Sequence, residues 1–371
     1  MMTSDHPVPV SVLTGFLGSG KTTLLGHLLR QPALSRAAVI INEFGEIGLD
    51  HELVETSDDS VIALTTGCLC CKVRSDLTQT LHDLLRRRDA GALAFDHVVI
   101  ETSGLADPAP ILHALMTDAN LAERVTLGSV VTTVDAVAGE ATLDREAVSR
   151  KQAAVADRIV LTKTDLLITS EGRRDREALA ARLHLLNPAA PVLDAAANEA
   201  TPERLLACGL FDPARKHPDV KRWLAAEAYA DADHRHHGHH HDVNRHDDRV
   251  RAFSFASEAA MPAATFDMFL DLLRSLHGPN LLRLKGIVKL AETPATPVVV
   301  HGVQHVLHPV VQLPRWPDGD ERTRIVVIAR DVEPSAVRAL FDAFLDAAAP
   351  DRPDRAALLD NPLVPFGGRD R

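Results

Sequence analysis

Short apolar runs and amphipathic stretches alternate over the first two hundred residues. The apolar runs occupy residues 10–14, 37–41, 61–64, 97–100, 128–134 and 158–161. Between them, helical spacing marks residues 21–30, 73–88, 145–156 and 171–186. β-rich runs of this length, separated by helices, predict βαβ units around a mostly parallel sheet with helices on both faces. From residue 212 to 249 the periodicity stops and His, Asp, Arg and Pro take over, which predicts a linker or long loop. The pattern resumes as a strand (250–255), a helix (263–276), strands at 282–290, 298–301, 305–311 and 324–328, and a helix at 335–347. The expected organisation is an α/β domain over residues 1–211, a His-rich linker over 212–249, a smaller α+β domain over 250–349 and a flexible tail over 350–371.

The first apolar run leads into Gly15-Phe16-Leu17-Gly18-Ser19-Gly20-Lys21-Thr22, which matches G-x-x-x-x-G-K-[ST] between a strand and a helix. The glycines let successive backbone N–H groups turn inward around a β-phosphate, and the helix N-terminus adds its positive end. Lys21 reaches the β- and γ-oxygens, and the Thr22 hydroxyl suits Mg²⁺. Gly15, Gly18, Ser19, Gly20, Lys21, Thr22 and Thr23 are therefore the expected phosphate contacts of a P-loop nucleoside triphosphatase.

Ligands of open α/β sheets bind beyond the carboxyl ends of the strands, so the residues after each run carry the next argument. Glu101-Thr102-Ser103-Gly104 follows residues 97–100: Glu101 stands where a carboxylate holds Mg²⁺, and the Gly104 N–H where a γ-phosphate is sensed. Lys21, Thr22 and Glu101 are the expected catalytic set, acting by position and charge. Thr162-Lys163-Thr164-Asp165 resembles the N-K-x-D element that reads guanine. Asp165 would accept from the guanine N1–H and exocyclic amine, and the Lys163 stem would lie along the base. Thr in place of Asn at 162 predicts one weaker polar contact near the base or the phosphate loop.

After residues 61–64 comes Thr65-Thr66-Gly67-Cys68-Leu69-Cys70-Cys71, followed by Lys72 and Arg74. A helix start and nearby cations favour the thiolate, and three soft ligands in four residues suit Zn²⁺. A disulfide between adjacent Cys70 and Cys71 would be strained; buried structural thiols are the other alternative. Glu43, Glu46 and Asp50 lie in the loop after residues 37–41 and serve the metal, Mg²⁺ or only solvent. His236, His237, His239, His240 and His241 belong to a run able to gather Zn²⁺, Ni²⁺ or Co²⁺ weakly, or else to a solubilising linker.

Composition adds three exclusions. Lys and Arg total 40 against 51 Asp and Glu, a formal charge of −11, which argues against nucleic acid or an anionic membrane as a partner. Four Cys in 371 residues exclude a disulfide scaffold. The N-terminus carries no positive region before a short, glycine-broken apolar stretch, so neither signal peptide nor spanning helix is expected and the location read from it is cytoplasmic.

Taken in order, the phosphate loop, Asn42-Glu43-Phe44-Gly45-Glu46, Cys68-x-Cys70-Cys71, Glu101-Thr102-Ser103-Gly104 and Thr162-Lys163-Thr164-Asp165 resemble the CobW-like family of P-loop GTPases. That family also has a His-rich connection and a small C-terminal domain. The resemblance implies GTP and Mg²⁺ binding, a transition metal at Cys68, Cys70 and Cys71, and hydrolysis of GTP as the metal passes to a client metalloprotein. Zn²⁺ is the expected metal, with Co²⁺ or another divalent ion as the alternative. Other readings are a metal buffer or sensor with structural nucleotide, a cobalt or iron insertion factor (cobalamin biosynthesis or nitrile hydratase activation), and a small-molecule kinase.

Overall fold

The computed structural model describes residues 7–42, 63–65, 73–206, 250–308, 310–317 and 319–345. The first sheet contains β1 (Val8–Gly15), β2 (Ala37–Asn42), β3 (Ala63–Thr65), β4 (His97–Thr102), β5 (Val125–Asp135), β6 (Arg158–Thr162) and β7 (Val192–Asp194). Its order is β3-β2-β4-β1-β5-β6-β7, and every pairing is parallel. β1 is buried along nearly its whole length, as a central parallel strand covered on both faces requires. From β1 the chain winds one way to β2 and β3, returns to β4, then winds the other way through β5, β6 and β7. The reversal lies beside β1, where open sheets form their ligand crevice.

The helices between these strands are α1 (Lys21–Leu29), α2 (Val73–Asp89), α3 (Ala109–Thr117), α4 (Ala119–Ala122), α5 (Gly139–Arg145), α6 (Ala147–Ala154), α7 (Ser170–Leu186) and α8 (Pro202–Leu206). α2 presents Leu77, Leu81, Leu84 and Leu85 to the core, the spacing of one helical face. α7 starts where the Thr169 hydroxyl accepts the Gly172 N–H at 3.0 Å. The helix expected over residues 145–156 is α6; a further short helix, α5, precedes it and ends where Glu146 is extended (φ −111°, ψ 106°).

The second sheet contains β8 (Val250–Ser257), β9 (Leu281–Val288), β10 (Val298–Val303), β11 (Val306–Leu307), β12 (Val311–Gln312) and β13 (Thr323–Arg330). It runs β11-β10-β9-β13-β8 with β12 also on β10, all antiparallel. The strand expected over residues 305–311 is therefore the two short strands β11 and β12, both pairing with β10. α9 (Ala263–His277) and α10 (Pro334–Leu345) cover one face, with Phe266, Phe269, Leu273, Val337 and Phe341 meeting Phe253, Phe255, Ile325 and Val327.

The opposite face is covered as well. Leu282, Ile287, Val299, Val326 and Ile328 join one core with Leu81, Leu112, Leu115 and Val130 of the first domain. Double coverage explains why β9, β10 and nearly all of β13 are buried residue after residue and not on alternate positions, Arg283, Lys285 and His301 included. Polar groups occupy the same junction. Asp157, at the α6–β6 corner, accepts from Arg283 at 2.7 Å and Lys285 at 2.9 Å, all three nearly inaccessible to water. Arg283 also donates to the Val155 carbonyl. Burial alone would raise the Asp157 carboxyl, but Arg283 and Lys285 beside it hold it far below the usual carboxylate range. Burial pushes the Lys285 ammonium down to about 8, and burial, with Arg283 and Lys285 nearby, holds His301 of β10 well below the ordinary imidazole value.

Among the described residues no helix is long and apolar enough to cross a membrane. The stretch containing residues 212–249 and the tail from residue 350 lie outside the described residues.

Candidate nucleotide site

β1 delivers the chain to the phosphate loop at Gly15, and α1 begins at Lys21. Gly20 has φ 84°, a left-handed conformation that glycine adopts without strain, and no side chain caps the first turn of α1. The first amides of α1 are thus left to an anion. Ser19 is fixed beneath the loop: its hydroxyl lies 2.7 Å from the Thr133 hydroxyl, and its N–H donates to Phe16 O at 3.1 Å. The Lys21 ammonium folds over the loop and donates to Phe16 O at 3.2 Å. Thr23 is exposed on the first turn of α1.

On the sheet edge next to this loop, the Thr22 hydroxyl donates to Glu101 Oε1 at 2.6 Å. Glu101 is 1% exposed and sits in a cross-strand row formed by Leu13 of β1, Ile41 of β2 and Thr65 of β3. A buried carboxylate and a hydroxyl in contact are hard oxygen donors, the set that Mg²⁺ takes. Gly104 follows two residues after β4 and abuts the phosphate loop: a Cβ there would lie 2.7 Å from Leu17 N and 2.8 Å from Leu17 Cα. Only glycine allows that approach.

The third part lies at the end of β6. The Thr162 hydroxyl donates to Ser19 O at 2.8 Å and to Val134 O at 3.3 Å. Thr162 thus ties this loop directly to the phosphate loop through its hydroxyl. Lys163 takes φ 58° and its ammonium pairs with Asp135 at 2.6 Å. Asp135 also accepts from the N–H groups of Val137 and Ala138 at 2.8 and 3.2 Å, which fixes the carboxylate that fixes the lysine. Asp165 is exposed in the short turn Thr164–Leu166. Thr164 anchors that turn to Asp194 at 2.5 Å, and Arg176 braces Asp194 at 3.1 Å.

The structure brings Gly15, Gly18, Ser19, Gly20, Lys21, Thr22, Glu101, Gly104, Thr162, Lys163 and Asp165 to one edge. Four supporting residues were not foreseen in the sequence: Thr133, Asp135, Asp194 and Gln152, whose buried amide donates to Gly104 O at 3.3 Å. Asp135 alone left a signal, an acid closing the apolar run over residues 128–134. Glu43, Glu46, Asp50, Cys68, Cys70, Cys71 and the histidines from His236 to His241 lie outside the described residues. Among the described residues no group of three His, Cys, Asp or Glu is placed to hold a metal ion.

A doubly wound parallel sheet with this loop at its switch point defines a P-loop nucleoside triphosphatase. The CobW/HypB/UreG nucleotide-binding domain matches residues 9–194, and the cobalamin synthesis protein cobW C-terminal domain matches residues 250–345. The zinc chaperone CobW of Sinorhizobium sp. is 32% identical over 374 residues, covering 91% of this chain and 97% of that protein. The zinc chaperone YjiA of Escherichia coli (strain K12) is 41% identical over 187 residues, covering 50% of this chain and 57% of that relative. A crystal structure of a Zn(II)-bound triple mutant of the YjiA GTPase is similar with a TM-score of 0.64 and 26% identity, covering 91% of this chain and 99% of that one. The chain belongs to the CobW/HypB/UreG family and is a P-loop GTPase, a hydrolase of GTP.

Proposed function

We propose that this GTPase is a metal chaperone that carries Zn²⁺ on Cys68, Cys70 and Cys71 and passes it to a client metalloprotein as GTP is hydrolysed. The relatives named as zinc chaperones support the cargo. The observation that carries the coupling is the cross-strand row: Thr65, three residues before Cys68, stands in register with Ile41, and Ile41 with Glu101. At about 4.8 Å per strand, the β3 end lies roughly 10 Å from the Glu101 strand. A change at the γ-phosphate therefore has a short path to the thiolate-bearing segment.

In this reading the phosphate-loop amides and Lys21 hold the triphosphate, and Thr22 and Glu101 hold Mg²⁺. Bound there, Mg²⁺ neutralises charge on the β- and γ-oxygens. Gly104 presents its N–H to the γ-phosphate. Lys163, locked by Asp135, lies along the base, and Asp165 accepts from guanine. Catalysis is positional and electrostatic. The histidines His236, His237, His239, His240 and His241 gather metal loosely for the tighter thiolate site.

The test is Zn²⁺ affinity by competition against a chelating dye, with GDP and with a non-hydrolysable GTP analogue. The expected result is tighter binding in the GTP-like state and loss of both affinities in Cys68→Ser/Cys70→Ser/Cys71→Ser. Equal affinity in the two nucleotide states removes the coupling, because a ligand without differential affinity shifts nothing. Metal binding without GTP turnover, with client present, would instead leave a buffer.

A further inference from the structure

Beyond Gly104 the chain runs to Asp107, and this loop is gripped from two sides. On one side is α6. Fully buried Gln152 donates its amide to Gly104 O at 3.3 Å and Ala106 O at 3.0 Å, and Lys151 pairs with Asp107 at 2.8 Å. α6 is itself rigidly held. Asn187 donates to the carbonyls of Ala153, Ala154 and Ala156 at 2.9, 3.1 and 2.9 Å, and Thr132 donates to Gln152 O at 2.7 Å.

On the other side is the second sheet. Asp107 accepts the Ala109 N–H at 3.0 Å, opening α3, and Gln304 at the β10–β11 turn reaches the same carboxylate at 3.5 Å. One helical turn further, buried His113 of α3 lies 2.8 Å from Val303 O through its Nε2. Its ring meets His305 edge-on, centroids 4.8 Å apart. The loop that abuts the phosphate loop at Leu17 is thus continuous with a helix that the C-terminal sheet holds.

We propose that the Gly104–Asp107 loop is a relay between bound nucleotide and the C-terminal domain, with Gln152 as its positioning residue and the β10–β11 turn as its receiver. The proposal rests on the reading of Gly104 as a γ-phosphate contact. A buried amide spent on two loop carbonyls fixes which way the intervening peptides face, so Gln152 sets the loop against the γ-phosphate without touching it. When that contact is lost on hydrolysis, the constraint on Asp107 changes, and the hold of Gln304 and Val303 on Asp107 and α3 changes with it. Linkage makes the effect reciprocal: an event at the C-terminal sheet that shifts the turn alters the affinity for GTP relative to GDP.

The experiment uses the full chain, with GTP turnover, GDP and GTP-analogue affinity, and hydrogen exchange measured on each variant. Gln152→Leu is expected to lower kcat by about 10- to 100-fold, the scale of a displaced positioning element, while GDP affinity stays within about 2-fold. Gln152→Glu donates only when protonated, so its kcat relative to wild type should rise as pH falls; a purely structural role gives no such rise. In the wild type, exchange at residues 303–306 should differ between GDP and the GTP analogue, and the difference should vanish in Gln152→Leu. Unchanged kcat in both variants, equal loss of GDP and GTP-analogue affinity, or identical exchange in the two wild-type states overturns the relay. Lys21→Ala separates the levels. If it turns over GTP normally, the phosphate-site reading fails and the relay with it. If it is inactive while Gln152→Leu matches wild type, the relay alone fails.

Discussion

Asp157→Asn exchanges a single carboxylate oxygen for an amide, yet it acts where the two sheets meet. The carboxylate accepts from three donors: Arg283 at 2.7 Å and Lys285 at 2.9 Å on one oxygen, and the Val130 N–H at 2.9 Å on the other. An asparagine keeps one acceptor oxygen, so at least one of these donors faces an NH₂ group. Two cations, 5% and 8% exposed, also lose their counter-charge. Leaving a buried charge uncompensated costs about 3–5 kcal/mol, which lowers Tm by roughly 5 °C in a chain of this length. Scanning calorimetry on the full chain is the measurement. Two companion observations tie the loss to charge. The variant should regain stability as pH rises, beginning below 8, because burial already holds Lys285 down to about 8 with the anion present and loss of the anion lowers it further. Asp157→Leu/Arg283→Met/Lys285→Met should be more stable than Asp157→Asn, since apolar replacement of a whole buried cluster is often neutral. A loss below about 1 kcal/mol, or a triple variant as weak as the single one, refutes the reasoning.

Three further outcomes follow from the geometry. Gly104→Ala places a methyl 2.7 Å from backbone N of Leu17 and forces loop and phosphate loop apart; GTP turnover should fall at least 10-fold, on the scale of a small misplacement at a reacting centre, with little change in Tm. Thr162→Val leaves Ser19 O without its hydroxyl donor; GDP and GTP affinity should fall alike by about 10-fold, and Thr162→Ser should restore both, measured by calorimetric titration. His301 is held neutral by burial and by Arg283 and Lys285, with Asp157 too weak an opposing influence and His308 adding to the depression. Its folded value lies below the unfolded value near 6.5, so the unfolded chain binds the extra proton as pH falls through that point. Denaturant titrations should show stability falling by up to about 1.4 kcal/mol per pH unit below pH 6.5, and less steeply in His301→Gln.

The phosphate loop was legible because its chemistry is local: eight consecutive residues make the turn, the amides and the lysine. The edge motifs were legible because each follows an apolar run, and the parallel sheet places run ends together. What stayed hidden depends on partners far apart in the chain. Gln152 sits within a stretch that reads as ordinary amphipathic helix, and its meaning comes only from carbonyls 46 and 48 positions away. Asp157 reads as a loop acid until Arg283 and Lys285 arrive from the second sheet. α5 was not expected because its seven residues, Gly139–Arg145, begin with Gly and carry a single fully buried apolar side chain, Leu143, too little for a helical period to show. The interruption between β11 and β12 did leave a signal, Pro309 in His308-Pro309-Val310, a residue that cannot donate to a strand ladder and that an expectation of one strand over residues 305–311 passes over.

The double coverage of the second sheet bears on how this protein can be cut apart. A boundary in the His-rich stretch looks like a natural place to separate two modules, and the family matches end and resume on either side of it. Yet excising residues 250–345 would uncover Leu282, Ile287, Val299, Val326 and Ile328 as one apolar face and strand Arg283 and Lys285 without Asp157. Such a fragment should aggregate, and a chimera that swaps this half between relatives should tolerate the exchange only where both sides of that seam travel together.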